Sequence, residues 1–128
     1  MGRAVLGGCD IMAFAPTCDQ PRAIEFYRDK LGLKLISQDD FAAVFDANGI
    51  TLRVSSVPKP LAPQPFTILG WKTPDIGAAI RELAGRGVSF ERFPGLPQNE
   101  LGIWTAPGGA QIAWFKDPDG NILSLTEF

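Results

Sequence analysis

The sequence predicts an α+β fold made of two successive copies of one unit, strand–helix–strand–strand–strand. Three observations carry this. Two helical segments each open on an aspartate beside a proline and close on glycine, from Asp19-Gln20-Pro21 to Gly32 and from Pro74-Asp75 to Gly85 and Gly87. After each helix come three short runs of strand length, parted by glycine-containing turns. Between the copies lies VPKPLAPQP (residues 57–65), whose four prolines suit an extended, semi-rigid linker. The chain is therefore read as a single domain, residues 1–128, with module one about 10–56, a linker at 57–65 and module two about 66–127. A repeat of this order points to a pseudo-twofold domain. Its helices cover the outer faces of mixed sheets, and the opposite faces line a cleft.

Each element has its own reason. Residues 1–8 are small and weakly patterned, a frayed tail or a short edge strand. DIMAFAPT (10–17) is an apolar run of strand length closed by Pro16. Asp19 is a good helix N-cap, and Pro21 suits the first helical positions. Ala23, Phe26, Tyr27, Lys30 and Leu31 recur at spacings of three and four, giving a helix to about Leu31 with one apolar face. Strands follow at 33–37 and 41–46. Ala47-Asn48-Gly49 signals a hairpin into a third strand, 50–56, where Ile50, Leu52 and Val54 alternate with Thr51, Arg53 and Ser55. The second copy runs as a strand at 66–73, a helix from Ile76 to about Ala84, and a short strand at 88–93. An irregular loop, 94–102, then leads to strands at 103–106, 110–116 and 121–126. The last turn, Asp117-Pro118-Asp119-Gly120-Asn121, combines a φ-fixing proline with a glycine free to take positive φ.

Composition removes several classes of function. With 45% hydrophobic and 20% charged residues this is an ordinary globular composition. The net charge of −2 has no basic block behind it, so neither nucleic acid nor an anionic membrane surface is an expected partner. No run of about 20 apolar residues exists to span a bilayer, and a cytoplasmic location is expected. Histidine is absent, which removes the commonest metal ligand and general base. Cys9 and Cys18 lack ligand spacing; free thiols, a disulfide and a reactive thiol all stay open. No glycine-rich nucleotide fingerprint follows a strand.

Two stretches carry a resemblance. Asp19-Gln20-Pro21-Arg22-Ala23-Ile24-Glu25-Phe26-Tyr27-Arg28-Asp29-Lys30-Leu31-Gly32-Leu33 resembles the first helix of the vicinal oxygen chelate superfamily. That is the group of glyoxalase I, bleomycin-resistance proteins and extradiol dioxygenases. Asp117-Pro118-Asp119-Gly120-Asn121 resembles its last hairpin, and Thr73-Pro74-Asp75-Ile76 to Gly87-Val88 its second helix. The resemblance covers about residues 10–127 and implies paired βαβββ modules, each curling around a cavity. It also implies four metal-ligand positions, which fall at Met12 (or Ile11 one register away), Arg53, Ile68 and Ser124. A thioether, a guanidinium, an alkyl chain and a hydroxyl replace the expected donors there, and Arg53 would repel a divalent ion. The metal site is therefore read as lost, with no metal and no cofactor expected.

The resemblance then implies a metal-independent small-molecule binding protein, similar to the drug-sequestering members. Its ligand would be amphipathic, with Arg53 favouring an anionic one, and a homodimer is expected. The candidate cavity is Met12, Phe14, Arg53, Ile68, Trp104 and Ser124, with Gln98, Asn99 and Glu100 at a lid or mouth. Each has a plainer reading: Arg53 a solvent-facing or acid-paired side chain, Ser124 a small filler, Met12, Phe14 and the tryptophans core. Asp117 and Asp119 are explained by the turn. Catalytic residues are not identifiable, and enzymatic activity stays open. An alternative is a metal-dependent lyase, isomerase or dioxygenase using non-standard donors such as Glu100, Glu91, Asp46 and Gln111.

Overall fold

The computed structural model describes residues 5–128, so part of the expected tail or edge strand at residues 1–8 lies outside the described residues. Residues 5–8 within it form turns rather than a strand. The first module contains β1 (Met12–Thr17), α1 (Gln20–Ile24, continued by a π-helical segment Glu25–Lys30), β2 (Lys34–Gln38), β3 (Ala42–Ala47) and β4 (Ile50–Ser56). The second contains β5 (Thr67–Lys72), α2 (Ile76–Gly85), β6 (Trp104–Thr105), β7 (Gln111–Lys116) and β8 (Ile122–Glu127). Each module folds into a four-stranded sheet, ordered β1-β4-β3-β2 and β5-β8-β7-β6. In both, the first strand pairs in parallel with the last and the other pairings are antiparallel. The repeat read from element order is thus a repeat of topology.

Local chemistry sets the elements. The Asp19 carboxylate accepts from the Arg22 amide at 3.2 Å, and the Asp75 carboxylate accepts from the Ala78 amide at 3.0 Å, so both aspartates cap their helices. The hairpin at Asn48-Gly49 takes positive φ at both residues, 53° and 92°, and the Asp46 carboxylate accepts from the Gly49 amide. In β4, Leu52 and Val54 are buried while Thr51, Arg53 and Ser55 are half-buried, as the alternation predicts, but Ile50 at the start of the strand is exposed.

Two elements differ from the sequence reading. The first helix does not stay α-helical to Leu31. From Glu25 it opens into a π-helical segment, and the Leu31 amide donates to the Phe26 carbonyl five residues back. Ala23, Ile24, Phe26 and Tyr27 are all buried. Neighbouring positions on an α-helix sit about 100° apart, and the wider turn seats both aromatics inward. Tyr27 packs toward Phe45 of the first sheet and Phe26 toward Phe115 of the second. The expected strand at 88–93 is not a strand: only Phe90 makes an isolated bridge, to Phe115. The Glu91 amide still donates to the Trp114 carbonyl at 2.8 Å, and beyond it the Arg92 guanidinium donates to the Asn99 and Glu100 carbonyls of the following loop.

The two sheets share one core. Tyr27, Phe45, Leu52 and Val54 of the first module join Phe115, Leu123 and Leu125 of the second in a contiguous apolar cluster. This leaves the opposite face of each sheet free of that core, and β1 approaches β5 where the sheets meet.

Candidate functional site

Strand registry shows what the free faces carry. In the first sheet Phe14 of β1 pairs with Arg53 of β4, which pairs with Val44 of β3. In the second sheet Gly70 of β5 pairs with Ser124 of β8, which pairs with Trp114 of β7. The two rows are equivalent under the repeat. Arg53 stands four residues past Gly49, and Ser124 four past Gly120. The sizes are exchanged: phenylalanine, arginine and valine on one side, glycine, serine and tryptophan on the other.

Met12 and Phe14 are not core residues. They are 48% and 59% exposed, and with Leu6, Cys9, Asp10 and Ile11 they line an open recess of about 620 Å³. Arg53 is half-buried beside Phe14 and forms no ion pair among the described residues. The acid that feels it is Asp39, whose carboxyl is held below the usual range first by the Phe41 and Ala42 amides and only lastly by Arg53. Ser124 is buried, and its Oγ lies 2.9 Å from where a Cβ on Gly70 would stand, so the two residues fit by mutual smallness. Ile68 sits at a register shift in β5 and packs partly buried against the core. Trp104 is half-buried with its ring centroid 6.3 Å from Trp114, and Phe93 meets Trp114 edge-on at 5.4 Å. These three rings form an aromatic wall. Trp71 stacks instead on Phe115, on the core side.

The loop at 94–102 is internally bonded. The Gln98 amide side chain accepts from the Phe93 amide and donates to the Glu91 and Gly102 carbonyls. Asn99 Oδ1 accepts from the Leu101 and Ile103 amides. Gln98 and Asn99 therefore hold the loop's shape, and Glu100 is the exposed carboxylate of the set.

The residues present do not suit a divalent metal. Met12, Arg53, Ile68 and Ser124 offer one soft sulfur, one hydroxyl, a fixed cation and a hydrocarbon. Among the described residues no three His, Cys, Asp or Glu side chains gather closely enough to share an ion. Of the non-standard donors, Asp46 is bonded to the Gly49 amide and Glu91 is 3.5 Å from the Lys116 ammonium.

The sequence reading missed a polar cluster at the tail turn. Asp117 is buried, and its Oδ2 accepts from the Tyr27 hydroxyl at 2.7 Å and from Asn121 Nδ2 at 2.8 Å. Its Oδ1 accepts from the Asp119 and Asn121 amides, as a turn aspartate should. Desolvation raises the Asp117 carboxyl above its ordinary range, against the bonds from Tyr27 and Asn121. Desolvation also raises the Tyr27 phenol, with the Asp117 charge next in importance. Asp119 reaches across to Cys18, accepting from its amide at 2.9 Å and its thiol at 3.2 Å, which raises the thiol's pKa. Cys9 and Cys18 are both free thiols. The signal that could have found the cluster is Tyr27 itself, a phenol on an otherwise apolar helix face, which needs a buried partner.

The fold and this two-sheet arrangement define a class. Residues 11–125 match the family model of the Glyoxalase/Bleomycin resistance protein/Dioxygenase superfamily, and the chain belongs to that superfamily. Among solved structures it is similar to a glyoxalase/bleomycin resistance protein/dioxygenase from Alicyclobacillus acidocaldarius, at 20% identity and TM-score 0.68 over 94% of this chain and 92% of that one. It is also similar to an integron cassette protein from the mobile metagenome of a Halifax Harbour sewage outfall, at 17% identity and TM-score 0.71 over 94% and 99%. A lactoylglutathione lyase from Agrobacterium tumefaciens aligns at 17% identity and TM-score 0.70 over 93% of each chain. At such identities the likeness is one of fold. Among the described residues no helix is long and apolar enough to cross a membrane.

Proposed function

We propose that this protein binds a small amphipathic organic anion on the free faces of its two sheets, without a metal. The observation that carries the reading is Arg53. It is half-buried, has no acid within ion-pairing reach among the described residues, and stands beside the exposed Phe14 and Met12. A guanidinium in that setting offers a planar fork to a carboxylate, phosphate or sulfonate, with apolar surface alongside for the rest of the ligand. The aromatic wall of Trp104, Trp114 and Phe93 suits a planar group. Ser124 beside Gly70 leaves the middle of the second sheet without a bulky side chain.

The chemistry we propose is recognition: Arg53 and the apolar surface beside it offer a charge and a contact area, and among the described residues no three metal-ligating side chains gather. The expected homodimer is part of the proposal. Leu6 and Ile11 extend the exposed apolar surface beyond the ligand-facing Met12 and Phe14, and a second copy would shield that extension. Light scattering would then give twice the monomer mass.

The test uses anilinonaphthalene sulfonate, an aromatic anionic probe. Arg53→Ala should weaken its binding by about tenfold, the loss of one charge-assisted pair, while leaving the melting curve in place. Unchanged affinity would sink the Arg53 assignment. Metal analysis of protein purified without chelator is the second arm: one tightly bound ion per chain would overturn the metal-free reading.

A further inference from the structure

A separate cavity of about 250 Å³ opens on the helical side of the molecule, between the π-helical end of α1, the chain after α2 and the β7–β8 turn. Arg22, Lys30 and Lys116 stand on its walls, over an apolar floor of Phe26, Val88 and Pro118. Against these three cations the wall carries two carboxylates, Glu91 and Asp117. Arg22 and Lys30 form no ion pair among the described residues, although Glu25 shares the adjoining recess with both. Lys116 meets Glu91 only at 3.5 Å, with both side chains partly exposed. Asp117 also borders the cavity, but its two oxygens are taken by Tyr27, Asn121 and the turn amides.

The wall at Gly87 is bare backbone. Gly87 sits at φ +89°, and a Cβ there would stand 3.6 Å from Lys30 Nζ. The positive φ keeps this position glycine, and the lack of a side chain leaves the ammonium open to the cavity. Arg22 and Lys30 are the cations without an ion pair among the described residues, Lys116 shares Glu91 only loosely, and an oxyanion entering the recess would gain charge-assisted bonds from them. The floor beneath them has room for a short apolar body.

We propose that this cavity is a second binding site, for a small organic oxyanion whose phosphate or carboxylate head meets Arg22, Lys30 and Lys116. Its apolar body lies on Phe26, Val88 and Pro118. The site is independent of Arg53, which belongs to the sheet face turned away from the helices.

Phenyl phosphate and benzoate supply the two head groups on one ring, and phenol supplies the ring alone. Each is titrated into the intact protein at fixed ionic strength while the backbone amide resonances are followed. Saturable shifts at Lys30, Gly87, Val88 and Ser89 are expected with an oxyanion and not with phenol; the tighter of the two identifies the head group. Combining Arg22→Gln with Lys30→Met should weaken binding by about tenfold or more, and both residues lie outside the buried core, so the variant keeps its spectrum. Arg53→Ala should leave these shifts intact, which separates this site from the one on the sheet face. The assignment is overturned by no saturable shift with either oxyanion, by equal shifts with phenol, or by unchanged affinity in the double variant.

Discussion

Replacing Tyr27 with phenylalanine removes one oxygen from the centre of the molecule and leaves the ring in place. The ring is fully buried and its hydroxyl donates to Asp117 Oδ2 at 2.7 Å. A hydrogen bond to a buried carboxylate contributes about 1.5–3 kcal/mol, and the variant also leaves that oxygen with Asn121 alone. A loss of about 2 kcal/mol is therefore expected, or a fall in Tm of roughly 7 °C for a domain of this size. Urea unfolding at neutral pH measures it, and a change below about 0.5 kcal/mol, the range of an ordinary surface substitution, would refute the reasoning. The pH profile gives an independent check. The phenol's folded pKa is raised, so its contribution is complete below the unfolded value and is lost as pH rises past about 10. Tyr27→Phe should flatten that alkaline limb. Asp117 has the same sign, since its folded carboxyl is also raised: its contribution is complete at acid pH and is lost as pH rises above the ordinary carboxylate range.

Gln98→Ala should free the loop at 94–102. Three hydrogen bonds are lost, so amide exchange from Phe93 to Ile103 should quicken while exchange in β3 and β4 stays slow; unchanged loop exchange would refute the bracing role. Gly70→Ala places a Cβ 2.9 Å from Ser124 Oγ and should lower stability by about 1 kcal/mol, with Ser124→Ala restoring most of the loss. Additive effects in the double variant would show that the two residues do not share the space.

Much of the fold was legible because it rests on local chemistry. Asp19 and Asp75 cap helices, Asn48-Gly49 turns a hairpin, and the Leu52–Arg53–Val54 alternation assigns each side chain to a face. The less legible features depend on distant partners. The π-helical segment exists because Phe26 and Tyr27 must face two different sheets, and nothing in their spacing announces it. The strand expected at 88–93 shrinks to one bridge at Phe90 and the Glu91 amide bond to Trp114, and the Phe93 amide then goes to Gln98 of the loop instead of a strand. Met12 and Phe14 read most simply as core, yet they are exposed, because it is the alternate residue Ala15 that turns into the core cluster and leaves their side of the strand open.

The sequence by itself determined the repeated unit, the superfamily and a set of key positions whose side chains do not suit a divalent metal. Period, caps and turn residues are local, and they survive transfer from string to structure. Only the tertiary structure decided how the two recognisable motifs relate. The helix motif and the tail motif, about 90 residues apart, meet through Tyr27 and Asp117, through Cys18 and Asp119, and through the Pro16 carbonyl and Asn121. Burial is what makes these contacts necessary. Once the shared core closes over Tyr27 and Asp117, the buried phenol needs a partner, and it finds the carboxylate of the other module.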